Sequence, residues 1–272
     1  MSPISLIANI QTEKTVNPIA ALPFESLVKN TEFGSYEIVV EDPLTVKYTI
    51  NDGVVWSDGT AIDGADMMLA WVTTFGYYKN EDGSYVFAHA APKDTLASKL
   101  PTIDGNSITF EYDVQYVDWE LQFGIGVSAH GTVMMAHSDI TDAATAKQAL
   151  IDAVVNGDDA FMAEVATVWN EGYSFTNTPD NPLAYLSSGA YVLEELVEEQ
   201  YSTHVVNPLY NWGPKPKYER ITIRQIDDST AAIQAVDNGE VQIASGQPTA
   251  DVLQLVQALT NAEYSSSEEA AY

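Results

Sequence analysis

The sequence predicts a mixed α/β fold in which strands and helices alternate along the chain. Several short segments alternate apolar and polar residues, as half-buried strands do, and longer segments carry apolar residues at helical spacing. Near the C-terminus a strand, a helix and a second strand follow closely within residues 221–244, which indicates a βαβ crossover. A chain of 272 residues can bury a sizeable core as one large domain or two small ones.

The residues before the segment YEIVVE show no clear pattern, so the first element that the sequence predicts is a β-hairpin. The segments YEIVVE and LTVKYTI both alternate apolar and polar residues, and the sequence EDP at residues 41–43 separates them. The side chains of Leu44, Val46, Tyr48 and Ile50 are predicted to face the core.

A polar turn and a buried helix follow, in the sequence VVWSDGTAIDGADMMLAWV. Asp58-Gly59 is a strong turn pair, because Asp bonds its own backbone and Gly tolerates positive φ. Asp63 is placed as an N-cap with Asp66 three residues later, so both carboxylates lie at the positive end of a helix that ends near Phe75. These residue types predict that the segment has a structural role and carries no reactive group.

The middle of the chain carries a further strand and several helices. SITFEYD at residues 107–113 is predicted as a strand, and DWELQF at 118–123 as a helix. The Ala-rich stretch 139–170 has apolar residues at helical spacing and a break at Asn156-Gly157, so two helices are expected there.

The last third returns to strands. GAYVLEELVEEQYSTHVV is predicted as two strands with a turn near residues 198–200, and ITIRQI as a third. Asp228 or Ser229 caps the next helix, which Gly239 can end in a left-handed conformation. VQIA is then a short strand, and Thr249 caps the final helix.

The charge balance excludes some classes of partner. The chain has 39 acidic and 11 basic residues and a net charge of −28, which repels phosphate backbones and anionic lipid headgroups. Binding of nucleic acid and polybasic membrane docking are therefore not expected. The absence of cysteine excludes thiol catalysis, disulfides and thiolate metal sites.

Targeting features are also absent from the sequence. It has no run of eighteen apolar residues, and its first residues have neither a basic segment nor a small-residue cleavage site. We therefore expect no membrane span and no signal peptide here, and Met1 is expected to start an excised piece of a longer protein.

No recognised cofactor or metal motif is found. The four histidines, His89, His130, His137 and His204, include no pair at the i, i+4 spacing of a zinc helix. GIGVSAHG at 124–131 lacks the third glycine of a dinucleotide loop, and phosphate-loop and nucleophile-elbow motifs are missing. The sequence therefore predicts no cofactor and no metal.

One enzymatic alternative stays open. Asp118 and Glu120 flank Trp119, and a secreted acidic glycosidase would place two carboxylates in an aromatic cleft. With so many acids, such a pair is expected by chance. Fifteen Tyr and five Trp favour a protein that binds a sugar or an extended peptide without covalent chemistry.

Three blocks of sequence resemble the extracellular solute-binding proteins, family 5, which serve ABC importers of oligopeptides, dipeptides and nickel complexes. TVKYTINDGVVWSDGTAIDGADMMLAWV is similar to that family's K-W-S-D-G-T-P signature, and NPLAYLSSGAYVLEEL to its G-T-G-P-Y segment, with Ala190 in place of proline. VVNPLYNWGPKPKYERITIRQIDDSTAAIQAVDNGEVQIA is similar to its N-P-x-Y-W-G-x-K-P block and the following helix. The order and spacing agree from about Val46 to Leu259.

The resemblance implies a periplasmic-binding-protein-like type II lobe with an inserted α+β subdomain. Residues 1–37 and 186–272 would form the lobe-I core, and 38–185 the inserted subdomain. The second lobe of the family is expected to lie outside this chain. A non-enzymatic, monomeric binding protein is implied, which is extracellular or periplasmic, lipid-anchored in its full-length form, and delivers its ligand to ABC permease transmembrane subunits.

The resemblance implies an oligopeptide ligand, with an oligosaccharide as the alternative. By position, Tyr85 and Phe87 would contact the ligand, and Gly124 and Gly126 would let a peptide backbone approach. Ser245 and Gln247 follow a predicted strand, whose end would point into the crevice. Plain packing or turn geometry is the competing interpretation for each of these six residues.

Overall fold

The computed structural model describes residues 32–89, 92–117, 119, 124–245 and 249–264. In this part of the chain the strands are β1 (Gly34–Glu41), β2 (Leu44–Ile50), β3 (Thr102–Asp104), β4 (Ser107–Glu111), β5 (Tyr191–Val197), β6 (Tyr201–Val206) and β7 (Arg220–Arg224). The α-helices are α1 (Gly64–Thr74), α2 (Ala129–Ala136), α3 (Ala143–Asn156), α4 (Asp159–Glu171), α5 (Ser229–Asp237) and α6 (Ala250–Ala258).

The first sheet has four antiparallel strands in the order β1-β2-β4-β3. The predicted hairpin is confirmed, with Glu41 opposite Leu44 at its end. The register shifts between Ile38 and Val40, so β1 has one residue more than β2 there, a β-bulge. The four β2 residues predicted to face the core are all buried, and they line the sheet's inner face.

Helix α1 covers that inner face. Its predicted N-cap is confirmed: the Asp63 carboxylate accepts from the Ala65 N–H, and the Asp66 carboxylate accepts from the Asp63 N–H, forming a capping box. The helix is buried from Gly64 to Thr73. Because it is apolar on all sides, it packs on the sheet with one face and on other helices with the rest.

Helices α2, α3 and α4 pack on one another, and α2 and α3 also contact α1. The two helices predicted in 139–170 are confirmed, and Gly157 ends α3 with φ of 68° in the left-handed region. Helix α2 is an element that the sequence analysis does not predict, because GIGVSAHG at 124–131 carries no recognised loop motif that leads into a helix. Gly131 in α2 allows a close approach, since a Cβ there would lie 2.4 Å from Ser128 Oγ.

The second sheet has three antiparallel strands in the order β5-β6-β7, and the three segments predicted as strands in this region form them. Asp228 caps α5 and Thr249 caps α6, also as predicted. The predicted strand VQIA and the βαβ crossover are wrong for this region, because residues 241–245 form no strand. The N–H groups of Glu240 and Val241 donate instead to the Ala235 carbonyl, which closes the end of α5.

The two sheets are joined through the W-S-D-G-T turn. The Ser57 N–H donates to the Ser187 carbonyl at 2.8 Å, and the Ser187 N–H donates to Ser57 Oγ at 3.1 Å. Asn211 Nδ2 donates to the Gly53 carbonyl at 2.9 Å. None of the helices in the described part of the chain combines the length and the apolar character that a membrane span requires.

Candidate functional site

A buried carboxylate, Asp66, lies where helices α1, α2 and α3 meet. Its side chain is 0% exposed. Oδ1 accepts from Trp56 Nε1 at 3.1 Å and from the Ala129 N–H at 2.8 Å, while Oδ2 accepts from the Asp63 N–H at 3.0 Å and from Lys147 Nζ at 2.9 Å. Four donors match the capacity of a carboxylate. Asp66 therefore links α1, α2 and α3 as a structural group.

Lys147 is the cation of this cluster and is itself buried. Nζ lies 3.0 Å from Asp63 Oδ2 and 2.9 Å from Asp66 Oδ2, and it donates to the Ala61 carbonyl at 2.5 Å. These three acceptors use the three protons of the ammonium group. A cleft of about 450 Å³ lies beside it, lined by small and aliphatic residues with Gln148. Since the charges in its wall are paired with each other, the cleft presents no free ionic group.

The signature turn is held by a second polar pair. Asp58 Oδ2 lies 2.8 Å from His130 Nε2, and the imidazole is buried while the carboxylate is partly exposed. Burial acts to raise the pKa of the Asp58 carboxyl, but hydrogen bonds from the Thr60 N–H and from His130 outweigh it and the pKa is lowered. Asp58 is thus held as a carboxylate, and it fixes the turn to the start of α2.

The other histidines lie apart from one another. His204 is buried on the central strand of the second sheet, where Nε2 lies 3.0 Å from Ser202 Oγ, and burial lowers the pKa of its imidazole. His137 stacks on Phe161 with ring centroids 4.0 Å apart. Among the residues that the structure describes, no group of three or more His, Cys, Asp or Glu residues could hold a metal ion.

Tyr85 and Phe87, two of the predicted ligand contacts, lie in the loop after α1. Tyr85 is half-buried, and Lys79 Nζ lies 5.2 Å from the centroid of its ring. The hydrogen bond between the Tyr85 hydroxyl and Asp94 raises the pKa of the phenol. Phe87 is 2% exposed and packs edge-on against Trp169 at 5.8 Å between centroids. Phe87 supports the loop from within, and the Tyr85 ring lies nearer to solvent.

The remaining predicted contacts lie on other elements. Gly124 and Gly126 are exposed just before α2, and a Cβ built on Gly126 meets no atom within 4 Å. Ser245 is exposed between α5 and α6, and Gln247 lies outside the described residues. The predicted site residues thus belong to three separate segments, and their contact with a ligand stays a prediction.

The residues of the alternative glycosidase hypothesis, Asp118 and Glu120, also lie outside the described residues, as does most of the predicted helix 118–123. Trp119 between them packs edge-on against Tyr36, with centroids 4.9 Å apart.

The buried ionic cluster was missed by the sequence interpretation, although two signals for it existed. Lys147 is the only basic residue between Lys99 and Lys215, and it lies in a helix otherwise rich in Ala. Asp66 follows the N-cap by three residues in a helix that is apolar on every side. A lone cation and a lone carboxylate within buried helices are expected to pair.

The sequence resembles one family over most of its length. A profile of the bacterial extracellular solute-binding proteins, family 5 Middle, matches residues 35–271. An uncharacterized lipoprotein of Mycobacterium leprae is 26% identical over 204 residues, which are 74% of this chain and 34% of that protein. The oligopeptide-binding protein OppA of Mycobacterium tuberculosis is 24% identical over 229 residues, 83% of this chain and 31% of OppA. The chain spans about a third of the length of these curated relatives.

Solved structures show the same fold. The periplasmic EDTA-binding protein EppA matches with a TM-score of 0.64 and 22% identity, over 93% of this chain and 40% of EppA. The oligopeptide-binding protein AppA of Bacillus subtilis, in complex with a nonapeptide, matches with a TM-score of 0.57 and 16% identity, over 94% of this chain and 42% of AppA. MoaA of A. tumefaciens R10, in complex with mannopinic acid, matches with a TM-score of 0.58 and 17% identity, over 94% of this chain and 42% of MoaA. At these identities the likeness concerns the fold.

Proposed function

Because the family profile covers residues 35–271, the chain belongs to the bacterial extracellular solute-binding proteins of family 5, and we propose that it is one lobe of the substrate-binding component of an ABC importer. The fold is periplasmic-binding-protein-like, type II. The family consists of extracellular or periplasmic binding proteins without enzymatic activity, and relatives of this chain are lipoproteins. The function proposed is capture of a solute outside the cell and its delivery to membrane-embedded permease subunits, by a monomer anchored through lipid.

The ligand proposed is an oligopeptide. The curated relatives whose names state a ligand are oligopeptide-binding proteins, and AppA holds a nonapeptide in its structure. Of other proteins with the same fold, EppA is an EDTA-binding protein and MoaA is in complex with mannopinic acid, so the fold itself does not select a peptide. Binding of an oligosaccharide in place of a peptide is the alternative outcome of the titration below.

The lobe organisation proposed follows the two sheets. Residues 38–185 contain most of the first sheet and helices α1 to α4, and would form the inserted subdomain. Residues 186–272, with 1–37, would form the core of the lobe around the second sheet. The hydrogen bonds between Ser57 and Ser187 lie at this boundary and support a fixed arrangement of the two units.

The ligand contacts proposed are Tyr85, Gly124 and Gly126, with Phe87 fixing the loop that carries Tyr85. Ser245 and Gln247 are proposed from the family resemblance alone, because the strand expected before them does not form. The open space around Gly126 supports this assignment, because a peptide backbone could approach the chain there. One lobe lacks the contacts that a second lobe makes on closure, so weak binding is expected from the chain alone.

The test is a calorimetric titration of the chain, and of the longest product of its gene, with mixed short peptides and then with oligosaccharides. We expect peptides to bind the longer product, and Gly126→Val to weaken that binding at least about tenfold without changing the melting temperature. The melting temperature is the control, because a Cβ at residue 126 has open space. Binding of oligosaccharides alone, or of neither class, would overturn the peptide proposal.

A further inference from the structure

Strand β1 leaves an apolar edge of the first sheet in solvent. It ends the sheet in the part of the chain that the structure describes, with β2 on one side only. Ile38, Val39 and Val40 are 47%, 52% and 43% exposed, an unusual state for three consecutive β-branched residues. Val114 and Val117 are exposed too, and the side-chain amide of Gln115 donates to the Glu41 carbonyl. We call residues 37–41 the β1 edge.

The β-bulge at Val39 explains this exposure. Because β1 has one residue more than β2 there, side chains on both of its faces leave the shelter of the sheet. The strand's outward N–H and C=O groups are also those that template pairing with another strand. Natural proteins usually cover or charge such an edge.

The charges of the β1 edge decide which partner fits. Glu37 and Glu41 flank the three apolar residues. Glu37 is 69% exposed, and the one ion pair it makes within the described residues is with Lys47 on the neighbouring strand, at 4.0 Å. Pairing of two copies about Val39 would bring Glu37 of one copy next to Glu41 of the other, twice. Each copy also carries a net charge of −28. Like charges in cross-strand positions are destabilising, so a second copy is a poor occupant.

We propose that the β1 edge binds an extended, basic segment of another protein by strand addition. Backbone hydrogen bonds along β1 supply the pairing, β-branched side chains of the guest pack on residues 38–40, and lysines or arginines at the guest's ends meet Glu37 and Glu41. On the neighbouring strand β2, Lys47 lies opposite Glu37 and Leu44 lies opposite Glu41. These two β2 residues are three positions apart. A guest in the same register has its basic residues at this spacing. The proposal does not rest on solute capture.

The test uses short synthetic peptides with blocked termini and a Lys-Val-Val-Lys centre, titrated by fluorescence anisotropy against the full chain. We expect a Glu-Val-Val-Glu peptide to bind at least about tenfold more weakly. Methylation of one set of alternate peptide amides should abolish binding and methylation of the other set should not, because only one edge of the guest faces β1. Peptide binding should slow hydrogen exchange at residues 38–41.

The variant Glu37→Lys/Glu41→Lys should weaken binding of the Lys-Val-Val-Lys peptide about tenfold. Its matched control is Glu81→Lys/Glu198→Lys, which changes the net charge equally at two exposed glutamates elsewhere. Equal loss in both variants, or equal binding of both N-methylated peptides, would overturn strand addition. Protection outside residues 37–41 would overturn this site while leaving solute capture intact, and a dimer held by β1 in solution would overturn the argument from charge.

Discussion

Replacing Lys147 by Met should cost far more stability than the same change at a surface lysine. Lys147 Nζ is the buried counter-ion of Asp66, and without it Oδ2 keeps only the Asp63 N–H as a donor. Breaking a buried ion pair by removing one partner costs about 3–5 kcal/mol, because the remaining charge is left uncompensated. The stability of a folded domain is only about 5–15 kcal/mol, so the loss is a large part of the total.

Lys99→Met is the matched control. Lys99 Nζ lies 2.5 Å from Glu111 Oε1, closer than Lys147 Nζ lies to either of its carboxylates, but the Lys99 side chain is 64% exposed against 8% for Lys147. An exposed pair contributes about 0–1 kcal/mol. The two substitutions therefore differ mainly in the burial of the charge that is left behind.

The assay is equilibrium unfolding in urea, followed by tryptophan fluorescence. With a slope of about 3 kcal/mol per molar urea, Lys147→Met should lower the midpoint by about 1–1.7 M and Lys99→Met by less than about 0.4 M. Equal shifts would show that the buried cluster carries no special weight. The double variant Lys147→Met/Asp66→Asn should recover part of the loss, since it removes the stranded charge while the amide oxygen can still accept from Trp56 Nε1 and the Ala129 N–H.

Two further predictions concern single residues. Burial lowers the pKa of His204 in the folded protein, so as the pH falls the unfolded chain binds a proton at this residue before the folded chain does. The contribution of His204 to stability should therefore be constant above about pH 7 and should fall as the pH drops below about 6.5. His204→Leu should flatten this fall between pH 6.5 and 5 in urea midpoints, and an unchanged slope would contradict the assignment. Gly76 and Gly83 both have positive φ, but a Cβ on Gly76 would lie 2.6 Å from the Tyr85 ring whereas one on Gly83 meets nothing. Gly83→Ala should cost about 1–2 kcal/mol from backbone strain alone, and Gly76→Ala more, as melting temperatures would show.

The elements that sequence predicts well are those whose signals are local. The first hairpin has alternation and a turn within a few residues of each other, and α1 carries its own capping box. By contrast, α2 has a local N-cap in Ser128, whose Oγ accepts from the Gly131 N–H, but its Ala129 N–H donates to Asp66, 63 residues earlier in the chain. Sequence reasoning cannot detect a partner that only the tertiary structure supplies.

The failed strand at VQIA has a similar cause. Val241 and Ile243 have strand propensity, but a four-residue strand forms only beside a neighbour. In the structure Ile243 is 88% exposed, and the backbone at Val241 bonds to the end of α5. The family resemblance located the predicted ligand contacts by position alone, so their geometry could not be derived from residue types.

The bonds that join the two sheets also constrain how the chain can fold. The two hydrogen bonds of Ser57 reach Ser187, 130 residues away, and the bond between Asn211 and Gly53 spans 158 residues. Contacts of such long range slow folding, because the entropy of closing the loop is lost before the contact forms. During synthesis at about 5–20 residues per second, the W-S-D-G-T turn must wait roughly 7–30 s for its partners to be made. Until then its polar groups can bond only to water or to nearby chain, so this junction is a late step in folding.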